Sequence, residues 1–173
     1  AADFWIDEEV WAAVQAPVDE EVIAALKGCP CWLSLDLSKK NDLTALTATW
    51  RDGAGILWQK TWYWTTKVGL PDRATADQAP YEDWVEKGWL TAVDGATIDK
   101  AFVAEQVARI EAEHDVVELV FDPAQIADFE TACEEIGLAV WRYAGPDKPI
   151  GEGLKLVSHA QGTRVVFEDR QYC

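Results

Sequence analysis

Three apolar runs near the start of the chain limit its fold more than any other feature. They are Trp32–Leu37, Leu43–Trp50 and Ile56–Trp64. The polar stretches between them, "SKKND" and "RDGAG", carry the Asn, Asp and Gly residues that tight turns require. Strand-length runs joined by such turns fold as successive hairpins. A three-stranded antiparallel meander is therefore expected. Downstream the periodicity changes. Ile98, Phe102, Val103, Val107 and Ile110 recur at helical spacing, which predicts an amphipathic helix over 98–114. "VVELVFD" is a short apolar run ending in Asp122, and "LAVWRY" is another. Between them, "PAQIADFETACEEIG" reads as a helix with proline in its first turn and Gly137 as its C-cap.

The order is β-β-β-α-β-α-β. Helical crossovers between strands of one sheet are right-handed and deliver parallel strands. The expected class is α/β: a mixed sheet, antiparallel meander plus parallel strands, with flanking helices. With the first strand central, it lies parallel to the strand at 116–122, and both carry an aspartate at the carboxyl end of the sheet, where open α/β sheets bind ligands. The rest of the pattern is plainer. Residues 4–27 read as two short helices broken near Pro17, and 65–80 as a loop. "PYEDWVEKGW" reads as a short helix ending at Gly88, "TAVDGAT" as a turn-rich link, and 144–153 as a flexible loop. From there to Cys173 the pattern is mixed.

Asp36 is the awkward residue of the first run. A buried carboxylate costs several kcal/mol unless it is paired or metal-bound. Asp36 therefore either satisfies a local partner such as Ser34 or Ser38, or lies at an open strand end where a cation can reach it. The second option draws in Asp122. Two carboxylates on neighbouring strands repel unless a cation intervenes, and hard oxygen donors suit Mg²⁺ or Mn²⁺. Two such ions about 3.5–4 Å apart can activate water and stabilise the leaving oxygen of a phosphodiester. Asp42, in the following turn, either caps that turn or contacts a metal-bound water or second ion. Lys39 and Lys40 are solvated turn lysines or phosphate contacts at the same mouth. Trp50, Trp58, Trp62 and Trp64 are core and cross-strand packing residues, or platforms for sugars and bases. His114 and His159 stand alone, with no nucleophile spacing around them.

Composition narrows the remaining possibilities. A chain of 173 residues makes about one domain, and no apolar run approaches the roughly 20 residues of a membrane span. The acidic start "AADFWIDEEVW" has no basic region of the signal-peptide kind. Methionine is absent even at position 1, so the chain is expected to have lost its initiator or to be cut from something longer. Cys29 and Cys31 form a close pair with no second pair to complete a zinc site, so free thiols are expected. The formal charge of −16 argues against a broad electrostatic nucleic-acid clamp. It leaves room for an enzyme whose metal supplies the positive field. "GPDKPIGEG" lacks the G-x-x-x-x-G-K-[ST] pattern, which excludes a phosphate loop of that type.

Three motifs in order, "LSLDLSKKNDLTAL", "PYEDWVEKGWLTAVDGATID" and "VVELVFDPAQIADFETACEEIGLAV", resemble the nuclease half of tailed-phage terminase large subunits, in the branch of long-tailed phages and prophages. The resemblance covers roughly Phe4 to Tyr172. It implies a ribonuclease-H-like fold and a divalent-metal-dependent endonuclease that cuts concatemeric double-stranded DNA during packaging. It implies that Asp36 and Asp122 are the catalytic, metal-binding aspartates of the first and fourth strands, and Asp42 a further acidic position. It implies as partners the packaging ATPase domain, the portal and the small terminase subunit, in the cytoplasm of a bacterial host. On the same resemblance, 1–28 is a helical linker from the ATPase side and 29–173 the nuclease domain, expected to be C-terminally incomplete. The family's third catalytic acid lies on a later helix in a basic stretch that this sequence does not reach, so the chain alone is expected to be weakly active or inactive. Two other readings share parts of the pattern: a non-catalytic docking module of a packaging motor, and another ribonuclease-H-like enzyme such as a transposase or resolvase.

Overall fold

A computed structural model describes residues 7–13, 20–38, 42–123, 125–143 and 149–159. Two short helices come first, α1 (Glu8–Ala13) and α2 (Glu20–Ala25); Pro17 lies outside the described residues. The meander follows as β1 (Pro30–Asp36), β2 (Thr44–Arg51) and β3 (Leu57–Thr66), with antiparallel pairing throughout. Then come α3 (Leu70–Asp77), α4 (Tyr81–Glu86), β4 (Thr91–Val93), α5 (Lys100–Glu113), β5 (Asp115–Phe121), α6 (Ile126–Ile136), β6 (Val140–Tyr143), β7 (Pro149–Gly151) and β8 (Leu154–Ser158). All eight strands form one mixed sheet in the order β4-β3-β2-β1-β5-β8-β6-β7. β1 is central, antiparallel to β2 on one side and parallel to β5 on the other. That is the predicted arrangement.

The two-residue period of the strands sorts their side chains into two faces. Cys31, Leu33 and Leu35 of β1 are buried, as are Leu46, Ala48 and Trp50 of β2 and Leu119 and Phe121 of β5. They share one core with Val103, Ala104, Val107 and Ile110 of α5 and Phe129, Ala132 and Cys133 of α6. Ile23 and Leu26, in and just after α2, enter the same core. On the opposite face, Ser34 and Asp36 of β1 stay exposed, and Thr47 and Val120 are half-buried. Burial pushes the Cys31 and Cys133 thiols up to about 12, so both behave as small core residues.

Four local expectations need correction. Residues 70–77, read as part of a loop, are helical: Pro71 sits in the first turn, where a missing N–H costs nothing. Arg73 ties that helix to β3 by donating to the Thr65 and Thr66 hydroxyls at 2.8 and 3.0 Å. Thr91–Val93, inside the expected turn-rich link, pairs parallel with β3. Pro149–Gly151, inside the expected flexible loop, pairs antiparallel with β6. Both strands have three residues, too few to show a period of two, and exist through their neighbours. Pro123 precedes α6 instead of occupying its first turn. Gly153 leads into β8 with φ +94°, and a Cβ there would lie 2.3 Å from the Ala139 carbonyl oxygen, so only glycine fits the turn.

The β2–β3 turn is organised by Asp52. Its carboxylate accepts from the Trp58 indole N–H at 3.0 Å and from the backbone N–H of Ala54 and Ile56, each at 2.9 Å. These bonds, led by that from Trp58, hold the carboxyl below its ordinary value of 3.8. A folded-state value below the unfolded one gives stability that is present above 3.8 and lost as pH falls through the lower folded value. Asp52→Asn is therefore expected to flatten the pH dependence of unfolding below pH 3.8, measured by urea titration over acidic pH. An unchanged profile would refute this role.

Candidate functional site

The register of three parallel strands builds the site. Leu35 of β1 pairs with Phe121 of β5, and Phe121 pairs with Ser158 of β8. The next residues along these strands are Asp36, Asp122 and His159. All three line one cleft of about 170 Å³, together with residues of the open face such as Ser34 and Thr47. Neighbouring strands lie about 4.8 Å apart, so the two aspartates stand one strand spacing from each other. A carboxylate in this apolar run is accounted for by the strand's two faces: Asp36 falls on the exposed side. Ser38 is not its partner, because the Ser38 hydroxyl is buried without a hydrogen bond among the described residues.

The backbone after Asp36 is held from the helical side. Gln125 donates to the Leu37 carbonyl at 2.9 Å, and the Lys100 amine donates to the Ser38 carbonyl at 2.7 Å. The Ser38 N–H in turn donates to the Thr44 hydroxyl at 3.0 Å. Lys100 is buried, 7% exposed, at the first position of α5. Burial pushes its amine below the ordinary 10.5, and the nearby Asp128 and Asp99 carboxylates oppose that shift. A cation at a helix N-terminus runs against the macrodipole. That mismatch was the signal in the sequence that could have marked Lys100 as holding something outside its own helix. Gln125, with φ 63° at the cap of α6, gave no comparable signal.

The donor set fits a hard divalent cation. Asp36 and Asp122 offer carboxylate oxygens on a solvent-reached face. Mg²⁺ characteristically takes one or two protein carboxylates and keeps several waters. Among the described residues no group of three or more His, Cys, Asp or Glu side chains converges to hold a metal ion. Asp36 and Asp122 are thus the two side chains here that could hold such a cation, with water completing its shell.

Asp42 is exposed, accepts from the Leu43 N–H at 2.8 Å, and is not among the residues lining the cleft. Lys39 and Lys40 lie outside the described residues. Trp50 and Trp64 are core residues, and Trp58 and Trp62 pack against that core, which is the packing alternative for the meander tryptophans. His114 is buried and accepts from the Trp50 indole at 3.2 Å. His159, equally solitary in the sequence, shares the cleft with the acid pair. Only the pairing of β8 reveals it.

Comparison with known proteins agrees with the fold. Residues 1–144 match the family described as "Terminase large subunit, endonuclease domain". The large terminase subunit of Enterobacteria phage HK97 is 33% identical over 132 residues, covering 76% of this chain and 25% of that protein. Protein YmfN of Escherichia coli (strain K12) is 30% identical over 111 residues, 56% of this chain and 23% of that protein. The crystal structure of the HK97 bacteriophage large terminase superposes with a TM-score of 0.62 at 30% identity, covering 85% of this chain and 29% of that one. The fold is thus ribonuclease-H-like, and the chain spans about a quarter of the length of the proteins it matches.

Proposed function

We propose that this chain, which belongs to the terminase large-subunit endonuclease-domain family, is a divalent-metal-dependent phosphodiesterase that cuts concatemeric double-stranded DNA in a phage packaging motor. The observation that carries this reading is the adjacent register of Asp36 and Asp122 at the carboxyl ends of parallel strands. In this reading the two carboxylates hold Mg²⁺ or Mn²⁺ and orient the scissile phosphate over the open face. Bound there, the cation supplies Lewis acidity and an activated water. The chain's own contribution is rigidity: Lys100 and Gln125 fix the backbone after Asp36, so the carboxylate pays little reorganisation when the site forms. Asp42 would act on the water network at the turn, and Lys39 and Lys40 would meet flanking phosphates. The ATPase domain, portal and small subunit are its proposed partners, in the bacterial cytoplasm. Among the described residues no helix is long and apolar enough to cross a membrane.

Titrating Mn²⁺ into the purified chain while following nicking of supercoiled plasmid tests the reading. Saturable Mn²⁺ binding is the expected result, with at most weak nicking that chelator abolishes. No binding by calorimetry would end the assignment. A second reading, a docking module, draws on a different observation. An apolar cleft of about 370 Å³ is lined by Leu43, Tyr63, Trp84, Trp89 and Leu90, with Trp89 63% exposed. That reading requires an acid pair indifferent to Mn²⁺, so the same titration separates the two.

A further inference from the structure

The acid pair poses an electrostatic problem. A phosphodiester entering the cleft meets two carboxylates on a chain of charge −16, and one cation between the acids does little more than neutralise them. Of the described residues lining the cleft, His159 alone carries a side-chain nitrogen that can donate to a phosphate oxygen. Its place is fixed by the backbone: the His159 N–H donates to the Phe121 carbonyl at 2.8 Å, which fastens it beside Asp122. Lys155, earlier on the same face of β8, is engaged by Glu118 at 2.9 Å.

We propose that the His159 ring N–H binds a non-bridging oxygen of the DNA phosphate engaged by Asp36 and Asp122. This rests on the endonuclease reading above and adds to it a phosphate-binding residue on β8. The contact is a hydrogen bond to an anion, among the stronger kinds, on the side of Asp122 away from Asp36. It would set which phosphate oxygen faces the metal, because the row His159, Asp122, Asp36 offers the substrate a donor at one end and the cation at the other.

The test compares the unmodified chain, His159→Ala and His159→Asn. Binding of a short fluorescent DNA duplex is followed by anisotropy in Ca²⁺, and Mn²⁺ binding without DNA by calorimetry. His159→Ala is expected to weaken DNA binding about tenfold to a hundredfold and to leave Mn²⁺ affinity unchanged. His159→Asn, which keeps an N–H donor, is expected to recover most of the loss. His159 is exposed, so both variants should unfold at the same urea concentration as the parent. DNA binding by His159→Ala equal to that of the parent overturns the proposal. So does a parallel loss of Mn²⁺ affinity, which would make His159 a ligand. If the parent binds Mn²⁺ and DNA but the alanine variant matches it, only the His159 assignment falls. If the parent binds neither, the endonuclease reading falls with it.

Discussion

Asp36→Asn is expected to abolish Mn²⁺-dependent nicking and to lower Mn²⁺ affinity by about 100-fold or more. Loss of an outer-shell partner alone costs a metal site 10- to 100-fold, and Asp36 would be a direct ligand. Asparagine keeps the shape of the side chain and removes its charge. The position is exposed at the end of β1, so stability should stay within about 0.5 kcal/mol of the parent. Relief of repulsion from Asp122 acts, if anything, in the stabilising direction. Asp122→Asn should behave alike, and the double variant should be little worse than either single one, because groups that act as a unit are not additive. Plasmid nicking, calorimetry and urea unfolding together check this. A Mn²⁺ affinity of Asp36→Asn equal to that of the parent would sink the assignment.

Trp50→Ala should produce the largest loss of stability, about 3–5 kcal/mol. The ring is fully buried, stands opposite Trp58 across the β2–β3 pair, and packs edge-on to His114 with centroids 5.2 Å apart. Truncation leaves a cavity at the centre of the sheet's covered face and strips His114 of its indole partner. With a urea slope of about 2 kcal/mol/M for a chain of this size, the midpoint should fall by roughly 2 M. Trp50→Phe keeps most of the ring and loses the N–H, and should cost about 1 kcal/mol for that hydrogen bond. A midpoint for Trp50→Ala within error of the parent would refute this account of the core.

What could be read from the sequence follows the length of each pattern. The meander was legible because Thr44–Arg51 and Leu57–Thr66 are long β-rich runs set between clear turns. α5 was legible from its apolar stripe. Asp36 and Asp122 could be paired because both lie near the carboxyl end of apolar runs and the crossover rule leaves few ways to arrange them. β4 and β7 were hidden because three residues carry no pattern and form only against β3 and β6. The helix at Leu70 was masked by Gly69 and Pro71, read as loop signals although proline suits a helix start. His159 was invisible for a related reason: its position depends on where β8 docks, a non-local fact that no local spacing encodes.

On the endonuclease reading proposed above, the shared rung of β1, β5 and β8 would also limit what a single copy can grip. Two strand spacings make a span of about 10 Å, shorter than the roughly 12 Å across the DNA major groove. A duplex laid across this rung would present one of its two backbones at a time. Severing both would then take either two successive visits with the duplex turned over between them, or a pair of copies facing each other across the helix axis.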